Sequence, residues 1–201
     1  MKKIPTLFER EFEGHKVVNI SSKVNPELEW VLAGEGVATL KIDGACCAII
    51  NGIFYKRYDA KRGKPVPNGA IPCQSEADSI TGHFPCWIEC NRENPGDKWF
   101  FVAYDNTIKS GEILQDGTYE AIGPHFQDNP YELEKDCLVK HGEEIIKVER
   151  TFEGIKKYLE INYVEGIVFW KDGEPKCKIK RKDFGFSWKS SKKQEGEYKC
   201  L

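Results

Sequence analysis

The chain has 201 residues, of which 40% are apolar and 31% are charged, and its formal net charge is −2. This composition is ordinary for a folded globular protein and excludes a disordered chain. No apolar run approaches the roughly 20 residues needed to cross a bilayer, and no secretory signal follows the N-terminal lysines. We therefore expect a cytoplasmic monomer with one domain over residues 1–188 and a polar tail over residues 189–201.

Hairpins dominate the predicted secondary structure. Asn51-Gly52 and Asp172-Gly173 are turn signals between apolar runs. The predicted strands cover residues 38–42, 45–50, 53–58, 99–104, 118–122, 164–170 and 177–181. A short helix is predicted from Pro26, a longer one over residues 151–159, and an exposed loop over residues 61–75. Many hairpins and few helices predict an α+β fold of antiparallel sheets with flanking helices.

Eight cysteines occur in a chain without an export signal, so we expect reduced thiols. His83, Cys86 and Cys90, with Cys73 as a further ligand, could form a zinc site, although the spacing is not the usual one. The alternative is that these cysteines are isolated small residues of the core. Cys46 and Cys47 are adjacent in a strand-like run and should face opposite sides of a sheet.

Lys41 ends a predicted strand just before the Asp43-Gly44 turn. A lysine at this position is sterically open and is held on a rigid element. Lys41 and Asp43 should face the same side because strand residues alternate. Neighbouring cations or burial must lower the pKa of an amine before it attacks a substrate. Taken alone, this four-residue pattern is a weak indication of a nucleophile.

Later residues provide the other groups that a nucleotide triphosphate requires. Glu120 and Glu165 are strand carboxylates, and Lys178-Ile179-Lys180 places two cations on one strand face. Cations suit the phosphates, and acids suit Mg²⁺ and the ribose. The alternatives are that both glutamates are ordinary exposed acids and that both lysines protect an edge strand from aggregation.

Together these motifs resemble the covalent lysine nucleotidyltransferase superfamily, which contains ATP-dependent ligases and mRNA capping enzymes. Lys41-Ile42-Asp43-Gly44 is similar to the superfamily's motif I, and Arg57 to the arginine that follows it. Glu120 is similar to motif III, Glu165-Gly166 to motif IV, and Lys178-Ile179-Lys180 to motif V. A eukaryotic-type family of ATP-dependent 5′–3′ RNA ligases is similar in further motifs, Lys-x-Asp-Gly-x-Cys-Cys over 41–47, His-x-Pro-x-Trp over 83–87, Glu-Gly-Ile-Val over 165–168 and Gly-x-x-Trp over 185–188. This resemblance covers about residues 38–188.

The resemblance implies a nucleotidyltransferase (adenylation) domain with an ATP-grasp-like ligase core and no OB-fold. It implies that Lys41, Lys178 and Lys180 are catalytic, Lys41 by taking AMP from ATP and the other two by contacting the α-phosphate. The implied nucleotide-binding residues are Lys41, Asp43, Gly44, Arg57, Glu120, Glu165, Lys178 and Lys180. Mg²⁺ or Mn²⁺ would lie near Asp43, Glu120 and Glu165. AMP would pass to an RNA 5′-phosphate, from which an RNA 3′-hydroxyl would displace it.

Other functions and contacts remain open at this stage. A capping guanylyltransferase, a DNA ligase, or an inactive RNA- or nucleotide-binding module would share the same pocket. Too few residues follow Lys189 to build an OB-fold, which disfavours the first two. The basic segments 56–64 and 176–193 could bind RNA phosphates or be solvated faces. His141 could contact the nucleotide and Phe126 could stack on the base, whereas the side chains of Trp87, Trp99 and Trp170 are expected in the core.

Overall fold

The computed structural model describes residues 1–14, 16–79 and 81–188. The described residues form eleven strands and three α-helices. The strands are β1 (Phe8–Glu13), β2 (Lys16–Val24), β3 (Val37–Lys41), β4 (Ala45–Ile50), β5 (Ile53–Ala60), β6 (Ile71–Pro72), β7 (Phe84–Glu89), β8 (Gly117–Ile122), β9 (Cys137–Lys140), β10 (Gly166–Lys171) and β11 (Glu174–Lys180). The helices are α1 (Glu29–Leu32), α2 (Lys98–Lys109) and α3 (Phe152–Ile161), and short 3₁₀ turns begin at Pro26, Pro95 and Arg181.

The chain divides into two compact units, with one boundary between Ile42 and Asp43. The first unit contains residues 1–3 and 43–141. The second unit contains residues 4–42 and the described residues from 142 onwards. The prediction of one catalytic domain over residues 1–188 stays a prediction, and the predicted tail over residues 189–201 lies outside the described residues.

A six-stranded antiparallel sheet forms the first unit, in the order β6-β7-β5-β4-β8-β9. One face packs on α2, where Cys47, Phe54 and Ala103 are buried together. The other face buries Ala48, Tyr55 and Trp87, with Cys46 packed against them. The prediction that Cys46 and Cys47 face opposite sides is therefore confirmed, because alternate strand residues belong to separate cores.

The second unit contains the β1-β2 hairpin, a three-stranded antiparallel sheet in the order β11-β10-β3, and α3. Its core is a single cluster to which Phe8, Ile155, Leu159, Ile167 and Phe169 belong. The β1-β2 hairpin was not predicted, and two register irregularities in it interrupt the alternation of apolar residues.

The antiparallel α+β class is confirmed, with few helices and with turns at the expected dipeptides. Asn51 and Gly52 both have positive φ, at 52° and 75°, as this type of hairpin turn requires. The predicted helix over residues 151–159 is observed as α3, in which the Thr151 side chain accepts the Gly154 N–H. No helix among the described residues is long and apolar enough to cross a membrane.

The strand predicted over residues 99–104 is wrong, because these residues belong to α2. Upstream signals start this helix: the Asn94 side chain accepts the Gly96 N–H, and Pro95 opens a 3₁₀ turn. Ala103 and Thr107, four residues apart, are the buried positions of α2. A continuous apolar run fits a strand or a helix, so the caps and the packing against the sheet decide between them.

Candidate active site

Strand pairing in the second unit aligns Lys41, Gly166 and Lys180 in one row across β3, β10 and β11. Gly166 is the register partner of Lys41 on one side and of Lys180 on the other. Glu165 immediately precedes Gly166 and is buried. The register therefore brings two lysines to a single carboxylate, although residues 41 and 165 are far apart in sequence.

Glu165 bridges the two amines with its two oxygens. Its Oε2 lies 2.5 Å from the Lys41 Nζ, and its Oε1 lies 3.0 Å from the Lys180 Nζ. The Glu165 side chain is only 6% exposed, whereas the Lys41 side chain is 20% exposed. A hydrogen-bonded ion pair of this kind fixes both amines in position while leaving the Lys41 side chain accessible.

Lys178 lies two residues before Lys180 and therefore on the same face of β11. Burial, and then the positive charges of Lys180 and Lys41, lower the pKa of Lys178 to about 8. Three lysines therefore lie close enough for their charges to interact, and Glu165 contacts two of them, Lys41 and Lys180. This excess of positive charge favours an anionic ligand such as a phosphate.

In the first unit, Glu120 on β8 is the centre of a second polar group. Its Oε1 accepts the Gly44 N–H at 3.1 Å, and its Oε2 lies 2.8 Å from the His141 Nε2. The His141 Nδ1 lies 3.0 Å from the Thr118 Oγ1. Cys46 is the register partner of Glu120 across β4 and β8. The thiol, carboxylate and imidazole ligand atoms all lie within 4.8 Å of one another.

The turn that follows Lys41 in the chain is held by two contacts within the first unit. The Asp43 N–H donates to the Tyr131 Oη at 2.6 Å. A Cβ on Gly44 would lie 2.2 Å from the Ala121 carbonyl oxygen, so only glycine fits beside β8. The hydrogen bond between residues 43 and 131, which are 88 positions apart in the chain, could not be deduced from the sequence.

Arg57 lies on β5 near Cys46. Its Nε donates to the Asp59 Oδ1 at 2.9 Å. Arg57 is thus held inside the first unit, as are Gly44 and Glu120. The predicted nucleotide residues fall into two groups, Lys41, Glu165, Lys178 and Lys180 in the second unit and Asp43, Gly44, Arg57 and Glu120 in the first.

The ligand set predicted for a divalent cation, Asp43, Glu120 and Glu165, stays a prediction. The sequence did not indicate Cys46 as a metal ligand, and it suggested His141 only as a residue that could contact the nucleotide. The hypothetical zinc site at His83, Cys86 and Cys90 is not formed, because the converging group found among the described residues is Cys46, Glu120 and His141. Cys86 and Cys90 are instead buried core residues, as the alternative held.

The aromatic predictions have mixed outcomes. Trp87 is in the core, as expected, and Phe126 is also buried, with its ring 5.4 Å from that of Phe100. The expectation for Trp99 is wrong, because its side chain is 37% exposed and its ring stacks on His125. Trp170 is partly buried and donates its Nε1–H to the Thr39 Oγ1 at 2.9 Å.

Some cations of the two basic segments form ion pairs with acidic side chains of the protein. Lys56 makes an ion pair with the buried Asp97. Lys61, Arg62 and Lys64 are exposed and line a cavity of about 410 Å³ in the first unit. In the other segment Lys176 pairs with Glu174 at 2.7 Å. Its last lysines, at 189, 192 and 193, lie outside the described residues.

No family model matches this sequence, and no curated protein matches it. The two groups of residues are therefore the basis for inferring a function.

Proposed function

We propose that this chain is an ATP-dependent RNA ligase that joins 5′-phosphate and 3′-hydroxyl RNA ends through a lysyl-AMP on Lys41. The observation that carries the proposal is the contact of Glu165 with both Lys41 and Lys180, at 2.5 and 3.0 Å, near the half-buried Lys178. A structural ion pair needs one lysine. Two lysines on one buried carboxylate, with a third lysine nearby, suit a site in which a phosphate supplies the missing negative charge.

The first step would be the transfer of AMP to Lys41. The lone pair of the Lys41 Nζ attacks the α-phosphorus of ATP, the bond from that phosphorus to the bridging oxygen of the β-phosphate breaks, and pyrophosphate leaves. Glu165, already in contact with this nitrogen, is the group placed to accept its proton. Lys178 and Lys180 offset the charge that develops on the α-phosphate oxygens.

Other residues would have the roles that the resemblance implies. Glu120 would bind the ribose or order water around the cation, and Arg57 would bind the ribose or the RNA-side phosphate. Asp43, Glu120 and Glu165 stay the predicted oxygen ligands of Mg²⁺ or Mn²⁺, which would neutralise phosphate charge. The domain would then be of the nucleotidyltransferase type with an ATP-grasp-like core.

In the later steps AMP passes from Lys41 to an RNA 5′-phosphate, and a 3′-hydroxyl displaces the AMP to form the phosphodiester. The partners are therefore two RNA ends. The exposed cations Lys61, Arg62 and Lys64 support RNA binding through phosphate contacts. Lys56, in the same segment, pairs with the buried Asp97 and is not assigned to RNA binding.

The experiment that tests the proposal is covalent labelling. The protein is incubated with α-labelled ATP or GTP and Mg²⁺ or Mn²⁺, and acid-stable label is measured on wild type, Lys41→Ala and the exposed control Lys157→Ala. We expect label from ATP on wild type and Lys157→Ala and none on Lys41→Ala. No label on wild type, or equal label on Lys41→Ala, would overturn the proposal.

The acceptor is identified by joining assays with 5′-phosphorylated RNA, 5′-phosphorylated DNA and nicked duplexes. We expect joining of RNA ends. Label from GTP alone would favour a capping guanylyltransferase, and joining of nicked DNA alone would favour a DNA ligase. Binding of nucleotide without any label would favour an inactive binding module.

A further inference from the structure

We propose that Cys46, Glu120 and His141 form a binding site for a thiophilic divalent transition metal such as Zn²⁺, and that this metal inhibits the enzyme by engaging Glu120. The metal site rests on the geometry of the first unit alone. The inhibition rests in addition on the proposed function, in which Glu120 binds the nucleotide.

Strand register brings the three ligands to one face of the sheet. Cys46 on β4 lies opposite Glu120 on β8, and His141 directly follows β9, the next strand in the sheet. The backbone N–H of His141 donates to the Thr118 carbonyl, which fixes the end of β9 against β8. Ligand atoms on a tetrahedral Zn²⁺, at about 2.0–2.3 Å from the metal, lie within about 4 Å of one another. Small side-chain rotations therefore suffice, because the three atoms already lie within 4.8 Å.

The donor set determines the class of metal. A sulfur, an imidazole nitrogen and one carboxylate oxygen suit Zn²⁺ and related borderline metals. Mg²⁺ prefers oxygen ligands in octahedral geometry and would not select a thiol. This site therefore selects a different class of metal from the Mg²⁺ or Mn²⁺ of the proposed function, although Glu120 is a predicted ligand in both cases.

Outer contacts already orient two of the ligands. The Gly44 N–H holds the Glu120 Oε1, and Thr118 holds the His141 Nδ1. The remaining atoms, the Glu120 Oε2 and the His141 Nε2, face each other at 2.8 Å. A metal bound to both atoms would replace the hydrogen bond between them, and the His141 Nδ1–H would then donate to the Thr118 hydroxyl. Support of this kind from a second residue is usual around a metal-binding histidine.

Charge and access are also suitable. A bound metal displaces the thiol proton, which leaves as H⁺, and the resulting thiolate together with the Glu120 carboxylate balances the dication. The side chains of His141 and Glu120 are 14% and 11% exposed, so an ion can enter from solvent.

Metal binding is tested on the full chain carrying Lys41→Ala, which cannot form lysyl-AMP. Co²⁺ is titrated as the spectroscopic probe and Zn²⁺ as the competitor. We expect one equivalent of Co²⁺ with a thiolate charge-transfer band, which Zn²⁺ removes. The band should be lost in Cys46→Ser and kept in Cys47→Ala, whose thiol faces the other side of the sheet. Thr118→Val should weaken Zn²⁺ binding about 10- to 100-fold.

Two results would overturn the metal site: a Co²⁺ complex without a thiolate band, or a band that Cys46→Ser retains. A thermal melt of each variant without metal shows whether it is folded, and His141→Gln provides a second ligand variant if Cys46→Ser is not. Because these measurements do not involve ATP, they stand even if the proposed ligase activity fails.

Inhibition is tested separately on wild type by the labelling assay in excess Mg²⁺. One equivalent of Zn²⁺ should decrease the labelling rate at least about 10-fold, and Cys46→Ser should resist this concentration. Zn²⁺ that binds without changing the labelling rate would overturn the inhibitory role and leave the metal site intact.

Discussion

The Lys41 Nζ lies 2.5 Å from the Glu165 Oε2, although the two residues are 124 positions apart in the chain. Pairing of β3 with β10 produces this contact, because Lys41 and Gly166 are register partners and Glu165 precedes Gly166. The lysine proposed as the nucleophile is thus held by a buried carboxylate. Its position depends on the register of one strand pair.

Replacing Glu165 with glutamine should slow the formation of lysyl-AMP about 10- to 100-fold, because one charge-assisted contact is worth about 1.5–3 kcal/mol. The measurement is the rate of acid-stable labelling at saturating ATP. Glu174→Gln is the matched control, since Glu174 is an exposed acid of β11 that pairs with Lys176. Equal rates for Glu165→Gln and wild type would contradict the role of Glu165.

The half-buried amine of Lys178 should make stability depend on pH. Its pKa is lowered from 10.5 to about 8 in the folded chain, first by burial and then by Lys180 and Lys41. Between pH 8 and 10.5 the unfolded chain binds more protons, so this residue's contribution to the free energy of unfolding rises with pH. Below pH 8 the contribution is constant, because the amine is protonated in both states.

Urea unfolding of wild type and Lys178→Met over pH 7–11 measures this effect. Wild type should gain stability relative to Lys178→Met as the pH rises from 8 to 10.5. Buried thiols such as Cys46 titrate in both proteins and cancel in the difference. Lys157→Met controls for the loss of an exposed charge, and a pH-independent difference for Lys178→Met would contradict the prediction.

Gly44→Ala should lower the free energy of unfolding by at least about 2 kcal/mol, because the new Cβ would meet the Ala121 carbonyl oxygen at 2.2 Å. Gly52→Ala is the control: its φ is +75° but its Cβ would meet open space. The control should cost only about 1 kcal/mol through backbone conformation. Similar urea midpoints for the two variants would show that the close approach at Gly44 is tolerated.

The exposed cations Lys61, Arg62 and Lys64 should contribute to RNA affinity through phosphate contacts. Replacing all three with glutamine should lower the slope of log K against log salt by about 2, at about 0.7 per contact with a single strand. The measurement is RNA binding by fluorescence anisotropy at several salt concentrations. The triple glutamine variant of Lys109, Lys135 and Lys157, which are also exposed, removes the same net charge elsewhere. An equal decrease in slope for both triple variants would indicate non-specific attraction.

Local chemistry made much of the fold predictable. Turn residues with positive φ, such as Asn51, and the alternation of Cys46 and Cys47 depend only on nearest neighbours in the chain. The β1-β2 hairpin escaped prediction because its bulges break that alternation. The helix α2 was not predicted because a continuous apolar run has no periodicity that distinguishes a helix from a strand.

By itself the sequence determined which side chains carry the candidate chemistry: Lys41, Glu120, Glu165 and the pair Lys178 and Lys180. It also determined the antiparallel hairpins that hold them. Only the tertiary structure decided that Glu165 bridges Lys41 and Lys180, and that Cys46 and His141 converge on Glu120. The physical reason is that these contacts follow from strand register between distant residues. Register is fixed by the packing of whole sheet faces, which no short motif specifies.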